Sequence, residues 1–208
     1  MAKTCTFCDR KTYTDRIMYE DEFFVVVPSM GQLSPYGGHL LIIPKQCWSC
    51  IASFTDTEIE AFEKLHHKVR MAIQKTGLPP LSFEHGVVGQ SIAHAHAHIV
   101  PANFQPLPYV RYAFPSAKIE VVRSYKEICE TYGQGARPYL YWRDGAELPS
   151  KPLSYVCWNP PAPEKYFRIL LAQEHFHEPR RADWRTCDPD EDRKLIRESM
   201  SRIKIPPA

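Results

Sequence analysis

The amino-acid sequence predicts an α+β fold built on a mostly antiparallel β-sheet. Apolar runs of strand length and stretches of helical periodicity are mixed along the chain, without the regular alternation of a βαβ fold. The chain has 208 residues, of which 44% are hydrophobic, enough to form the core of one generous domain or of one domain with an appendage. We therefore expect an antiparallel sheet with packed helices, followed by a C-terminal α+β extension.

The N-terminal half begins with a predicted hairpin. Residues 17–19 and 23–27 are strand-like, and the polar residues 20–22 between them are typical of a turn. A loop rich in Gly, Pro and Ser follows. The next strand, predicted over residues 39–43, is apolar enough to be buried and stops at Pro44.

The clearest helix follows this strand. Thr55 and Glu58 form a capping box at its start, and the helix is predicted to continue until Gly77. Its apolar residues recur at helical spacing, at Ile59, Phe62, Leu65, Val69 and Ile73.

The chain changes character after about Pro106, where Pro-rich connectors begin. We therefore divide it into a first domain, residues 1–105, with an amino-terminal cysteine knuckle, and an extension, residues 106–208, that packs on it. Beyond the clearest helix, we predict strands at residues 81–83, 93–101, 139–142 and 154–158 and helices at residues 164–173 and 190–203, the last with Asp188 or Asp190 as its N-cap.

Composition excludes several classes of protein. No apolar run approaches the roughly 20 residues that a membrane helix needs, and the amino terminus lacks the apolar run of a secretory signal. We therefore expect a cytoplasmic protein that does not bind membranes. A formal net charge of +2 is too small for a nucleic-acid-binding stripe, which argues against a nucleic-acid partner.

Three histidines, His94, His96 and His98, stand at alternate positions. In a β-strand, this spacing directs their side chains to one face, roughly 6 to 7 Å apart. Because the unperturbed histidine pKa lies near ~6.5, such a row can perform acid/base, nucleophilic or metal-binding chemistry near neutral pH. From this motif alone, a histidine-rich surface strand is an equally good interpretation.

The seven cysteines include two pairs of the same short spacing, Cys5 with Cys8 and Cys47 with Cys50. In a chain without an export signal, such pairs indicate zinc or redox chemistry before disulfides. A thioredoxin-like motif would follow a strand and begin a helix, whereas the first pair precedes any predicted strand. This position favours zinc over redox chemistry. From spacing alone, a site made of all four cysteines is one possible arrangement.

Four segments together resemble the histidine-triad family of nucleotide hydrolases and nucleotidyl transferases. The resemblance covers about the first hundred residues and implies a five-stranded antiparallel sheet and a homodimer. The segments are Cys5-x-x-Cys8, Gly38-His39-Leu40-Leu41-Ile42-Ile43-Pro44-Lys45, Gly89-Gln90-Ser91 and His94-x-His96-x-His98-Ile99-Val100-Pro101.

The resemblance implies a mechanism in which His96 attacks the α-phosphorus of a nucleotide and forms a covalent intermediate. His94 and His98 would flank it and place donors on the phosphate oxygens. Gln90 and Ser91 would add neutral hydrogen bonds to the phosphate and leaving group. His39 is also expected to contact substrate.

The resemblance also implies a structural zinc ion. Its ligands would be Cys5, Cys8, His94 and a residue just after the Pro-Lys of the central strand, where the family usually has histidine. Here that position is Cys47, an equally good ligand. If Cys50 joined the other cysteines instead, His94 would be released to the active site.

Two departures from the family pattern concern the substrate. An aspartate that often holds the ribose is missing from Val26-Val27-Pro28-Ser29, and the usual Asn-x-Gly is replaced by Glu84-His85-Gly86. A carboxylate 4 Å from a phosphate charge would cost on the order of 4 kcal/mol at an effective dielectric near 20. Glu84 must therefore be protonated, bridged by a cation or directed at another group, such as a sugar hydroxyl.

The half that the resemblance does not cover contains Arg168, Asp183, Trp184 and Arg185. An arginine there could clamp a phosphate, but we favour an internal salt-bridge network or a dimer contact over that role.

The sequence thus predicts an enzyme that cleaves or transfers a nucleoside monophosphate from a conjugate through His96. The alternatives are a catalytically inactive, zinc-stabilised nucleotide-binding or regulatory module and, less in keeping with the charge, an enzyme acting on nucleic-acid ends or caps.

Overall fold

The structure is a computed structural model that describes residues 5–135, 137–145 and 153–207. These residues form one antiparallel sheet of eight strands in the order β1-β2-β3-β5-β4-β7-β8-β6. The α+β class is therefore confirmed, with a sheet larger than the five strands expected. The strands are β1 (Tyr19–Glu20), β2 (Phe24–Pro28), β3 (Leu40–Pro44), β4 (Pro80–Gly86), β5 (Ala97–Pro101), β6 (Lys118–Val122), β7 (Tyr139–Arg143) and β8 (Ser154–Trp158).

Five α-helices are present in the described ranges, and none is long and apolar enough to cross a membrane. They are α1 (Asp56–Gln74), α2 (Leu107–Ala113), α3 (Tyr125–Gly133), α4 (Tyr166–Leu170) and α5 (Pro189–Arg202). The predicted capping box of α1 is confirmed, since the Thr55 side chain accepts from the Glu58 amide and the Glu58 carboxylate from the Thr55 amide. Asp188 caps α5.

The two faces of the sheet bury different residues because side chains alternate along each strand. One face, here called the helical face, packs against α1 and α3 and includes Ile99 and Tyr139. The other, here called the histidine face, carries His98 and its cross-strand neighbour Phe83, and α4 packs on it through Phe167.

The sheet runs without interruption from the first half of the chain into the second. Strand β4 pairs with β5 on one side and with β7 on the other, with Phe83 opposite both His98 and Trp142. The C-terminal half therefore adds three strands, β7, β8 and β6, to the edge of the N-terminal sheet.

Two predicted elements differ from the structure. The histidine strand begins at Ala97 rather than at residue 93, because the Ala95 amide donates to Trp48 O instead of joining the ladder. The helix predicted over residues 164–173 is α-helical only in α4 and continues as a π-helical turn, Leu171–His175.

Candidate functional site

Cys5, Cys8, Cys47 and His94 meet in one cluster, with their ligand atoms all within 4.8 Å of one another. His94 Nδ1 lies 3.3 Å from Cys5 Sγ and 3.6 Å from Cys8 Sγ. His94 Nε2 lies 2.9 Å from Pro44 O, so an Nε2–H donor there leaves the Nδ1 lone pair directed at the sulfurs. Three thiolates and one imidazole are a typical donor set for structural zinc, and this group could hold that ion.

Cys50 does not belong to this cluster. Its side chain is fully buried, and its sulfur lies 3.4 Å from Ser53 Oγ. Among the described residues, the group that could hold a metal therefore contains Cys47 and His94, and the four-cysteine arrangement is not formed.

His96 is buried next to the cluster, with 7% of its surface exposed. Its Nδ1 lies 2.7 Å from the carbonyl oxygen of His94, which places the proton on Nδ1 and leaves a lone pair on Nε2. Burial lowers the pKa of His96 to about 4. The imidazole is therefore neutral at pH 7, the protonation state of a nucleophile.

His98 lies beside His96, with ring centroids 4.8 Å apart, and stacks on Phe83 at 4.4 Å. Its Nδ1 is 2.9 Å from His39 Nε2. The Leu33 amide lies 3.4 Å from His39 Nδ1, and Gly31 is a backbone hydrogen-bond partner of the same ring. If the His39 proton is on Nε2, it is donated to His98 Nδ1. In that arrangement, His98 presents Nε2–H as a donor.

His39, expected to contact substrate, is completely buried behind His98. Burial and the Arg168 charge lower its pKa well below the usual value, so it is neutral. The structure thus places His39 where it orients His98 rather than where a ligand would reach it.

Gln90 and Ser91 lie in the loop that leads into the histidines. Gln90 is half-buried, and its side-chain amide donates to Ser49 O at 2.7 Å, which links this loop to the segment that carries Cys47. Ser91 is exposed. Neither loop residue is enclosed by the protein, so both remain open to a ligand.

Residues 4–108 match the family model described as "Scavenger mRNA decapping enzyme C-term binding". "Protein hit" of Bacillus subtilis is 32% identical over 108 residues, which cover 48% of this chain and 72% of that protein. An uncharacterised HIT-like protein of Mycoplasma genitalium is 30% identical over 104 residues, which cover 47% of this chain and 72% of its own. The chain belongs to the HIT, or histidine-triad, family.

The crystal structure of a HIT family member from Bacillus subtilis is 28% identical, with a TM-score of 0.42, and the match covers 48% of this chain and 73% of that one. HIT proteins are generally nucleotide hydrolases or transferases, and the matched part is about half of this chain. The rest of the chain is additional sequence.

The departure of this HIT chain at Glu84 has a structural explanation. Phe83 faces His98 on the histidine face, so the next residue, Glu84, points to the helical face. Its carboxylate accepts from the Ile51 amide and from the Tyr139 hydroxyl, each at 2.7 Å. Glu84 is therefore engaged inside the protein and not beside a phosphate bound at His96, in contrast to the expected substrate contact.

His85 and Gly86 bind the C-terminal half as well. His85 Nε2 accepts from the Phe167 amide at 3.2 Å. A Cβ on Gly86 would come within 2.3 Å of the Tyr139 ring, so only glycine allows β7 to lie this close. Together, Glu84, His85 and Gly86 form the seam between the HIT part and the added strands.

A Gly86→Ala variant should be destabilised, because its methyl group would overlap a ring that is held in the core. We expect a loss of about 1–3 kcal/mol in the free energy of unfolding, measured by urea denaturation. Gly133→Ala is a matched control, since nothing lies within 4 Å of a Cβ there. Equal stability of the two variants would contradict the steric role of Gly86.

Glu84 should make the folded protein less stable as the pH rises from about 4.5 to about 7. Burial raises its pKa from 4.5 to about 7 in the folded state, so the folded chain keeps a proton that the unfolded chain has released. The contribution of Glu84 to the free energy of unfolding should fall by on the order of 3 kcal/mol across this window and then level off. Buried histidines with lowered pKa values, such as His85 and His96, act in the opposite direction over the same range, so the Glu84 contribution is read from the difference between the wild type and a Glu84 variant.

The measurement is urea denaturation at intervals between pH 4 and pH 8. Glu84→Gln, which is neutral throughout and can still accept from the Ile51 amide, should lose this part of the pH dependence. Glu22→Gln, at an exposed site, should keep it. A difference in stability between wild type and Glu84→Gln that stays constant from pH 4.5 to pH 7 would contradict the role of Glu84.

Of the C-terminal residues singled out from the sequence, Asp183 forms an internal ion pair with Lys165 at 2.8 Å, and Arg185 lies 3.4 Å from Asp183. Arg168 makes no ion pair to a described residue and is bound instead to backbone carbonyls. Its position depends on the packing of the C-terminal half, which no local motif reveals.

Proposed function

We propose that this HIT protein hydrolyses or transfers a nucleoside monophosphate from a conjugate through a covalent nucleotidyl intermediate on His96. The observation that supports it best is the hydrogen bond between His96 Nδ1 and His94 O, since it directs the lone pair to Nε2. A neutral imidazole with a fixed tautomer is a competent nucleophile at pH 7.

In the first step, the Nε2 lone pair forms a bond to the α-phosphorus, and the bond from phosphorus to the leaving group breaks. The leaving group departs with the bonding electrons and takes up a proton from solvent. In the second step, water or another acceptor attacks the phosphorus and loses its proton, and the P–N bond breaks to restore neutral His96. Each step passes through a state with added charge on the phosphate oxygens.

His98 and the loop residues would stabilise that charge. When His39 carries its proton on Nε2, His98 Nε2–H is a donor beside His96, and the Gln90 amide and Ser91 hydroxyl can supply neutral hydrogen bonds. His39 contributes at one remove by holding His98 in this tautomer. These donors are neutral, so their hydrogen bonds to the phosphate do not depend on the protonation of a titrating group.

Zinc, held by Cys5, Cys8, Cys47 and His94, would supply a structural link and no reacting group. His94 is two residues from the nucleophile and provides the carbonyl that fixes its tautomer. Anchoring His94 to the cysteines therefore also positions His96.

The test is incubation of the zinc-loaded protein with a panel of nucleoside phosphoramidates, dinucleoside polyphosphates and nucleotide sugars, followed by rapid acid-free quenching and intact-mass spectrometry. We expect a mass increase of one nucleotidyl group, located on His96 by peptide fragmentation. Turnover without an adduct, or an adduct on another residue, would refute the covalent mechanism. Tight nucleotide binding without turnover of any conjugate would favour the inactive binding module instead.

A further inference from the structure

Arg168 is a buried arginine on α4, with 6% of its surface exposed. Burial lowers its pKa to about 10, so it remains protonated at neutral pH. No carboxylate of the described residues lies within ion-pair distance of its guanidinium. A buried cation without an anionic partner is costly and is uncommon away from ligand sites.

The acidic groups nearby are engaged elsewhere. Asp183 pairs with Lys165 at 2.8 Å. The Asp192 carboxylate accepts from the amides of Gly31 at 2.9 Å and Gln32 at 2.7 Å. Neither forms an ion pair with Arg168: their charges favour its protonated form only from a distance, and its direct partners are backbone carbonyls.

Three carbonyls fix the orientation of the guanidinium. Nε donates to Ala182 O at 3.0 Å, and Nη2 donates to Gly31 O at 2.8 Å and to Arg181 O at 3.0 Å. Nη1 makes no hydrogen bond to the described residues. It is also not one of the buried, unpartnered side-chain atoms, so it keeps some access to solvent. Nε and Nη2 of the guanidinium are thus held in place, while Nη1 is free to donate a hydrogen bond to a ligand.

The neighbourhood of Arg168 is the histidine cluster. The preceding residue, Phe167, donates its amide to His85 and packs on Phe83 at 5.2 Å, and Phe83 stacks on His98. On the other side, the Gly31 carbonyl belongs to the loop of residues 29–38, whose Gln32 side chain holds the backbone of His39.

The same proximity appears in the electrostatics. After burial, the Arg168 charge contributes to the lowered pKa of His39, His85 and His96. These imidazoles are neutral, and Arg168 has no carboxylate of the described residues in direct contact, although Asp183 and Asp192 favour its charged form from a distance. A ligand phosphate on His96 would supply an anion that Arg168 can contact directly.

We propose that Arg168 is a phosphate-binding residue, contributed by the C-terminal half to the site of His96, and that Nη1 contacts an oxygen of the bound nucleotide. The proposal rests on the proposed function, since it takes a nucleotide at His96 as the ligand. Arginine suits this role because its guanidinium is planar, permanently charged and directed by its other hydrogen bonds.

Arg181 provides a matched control. It is as buried as Arg168, at 2% exposure, and donates to Gln32 O in the same loop. Unlike Arg168, it is neutralised by Glu178 and Glu191, each at 2.6 Å. Its loss should disturb the packing of the loop without removing a phosphate partner.

The experiment measures, by calorimetric titration of the zinc-loaded full chain, the affinities for AMP, GMP, CMP and UMP and for the four matching nucleosides. Arg168→Met should weaken binding of the tightest monophosphate by on the order of ten- to hundredfold, with nucleoside binding changed less than about twofold. Arg168→Lys, which keeps the charge and a donor, should lie between wild type and Arg168→Met. Arg181→Met should lower the Tm without separating monophosphates from nucleosides.

Equal weakening of monophosphates and nucleosides in Arg168→Met, or no weakening, would overturn the proposal and leave a purely structural arginine. If Arg168→Met does not fold, the Arg168→Lys comparison decides the same question. Wild-type protein that binds no nucleotide and forms no adduct would refute the proposed function itself, whereas normal adduct formation with unchanged Arg168 variants would refute only the role of Arg168.

Discussion

His96→Ala is expected to abolish the nucleotidyl adduct and to lower turnover of the best conjugate by about four orders of magnitude or more. The variant removes the atom that forms the covalent bond, and no neighbour can replace it. His98 has its Nδ1 engaged with His39, and His94 faces the cysteines. The contacts of His94 with Cys5, Cys8 and Pro44 O do not involve the His96 side chain, so the fold should persist in the variant.

The rate is measured by chromatographic separation of substrate and product, and folding is checked by thermal unfolding. His67→Ala, an exposed histidine on α1, is the control and should keep the wild-type rate. A His96→Ala variant that turns over the substrate normally would exclude nucleophilic catalysis by this residue. A loss of activity in His67→Ala would point to an unrelated effect of the substitutions.

Replacement of Cys5 or Cys47 by serine should reduce the zinc content of the purified protein and lower its Tm by about 10 °C or more. Serine is a poor zinc ligand, and the remaining cluster would hold the ion too weakly to tie the amino-terminal knuckle to His94. Zinc is measured by elemental analysis of protein purified without added metal. Equimolar zinc is expected in the wild type.

Cys50→Ser is the discriminating control for this site. Its sulfur lies outside the cluster, so the variant should retain equimolar zinc, even though a hydroxyl at this fully buried position should lower the Tm. Zinc retained in Cys47→Ser but lost in Cys50→Ser would show that the ligand set is different. A wild type that binds no zinc under any condition would remove the metal from the description altogether.

Local patterns predicted the elements that local chemistry determines. The capping box fixed the start of α1, and the apolar runs at residues 139–142 and 154–158 correspond to β7 and β8. In contrast, β6 escaped prediction because four of its five residues are exposed or only partly buried and two of them are charged, as suits a strand at the edge of a sheet. Helix α2 is short and begins among prolines, so its periodicity is weak.

In the candidate site too, local patterns predicted some residues and missed others. The cysteine spacing, together with the family resemblance, identified the cluster at His94. The side on which Glu84 lies depends on the register between β4 and β5, which sets Phe83 opposite His98 and is not visible in a single sequence. The position of the Arg168 side chain depends on contacts with residues far away in the sequence, such as its hydrogen bond to Gly31 O, and these partners are visible only in the folded chain.

The pairing of β4 with β7 also limits how this protein can assemble. A strand has only two hydrogen-bonding edges, and those of β4 are taken by β5 and β7. The outermost strands that remain are β1, of two residues, and β6, which carries the Lys118–Glu120 ion pair. Short or charged outer strands discourage the addition of foreign strands. A second copy of the chain is therefore expected to associate through side chains on the surface of the described residues rather than by continuing the backbone ladder from one subunit into the next.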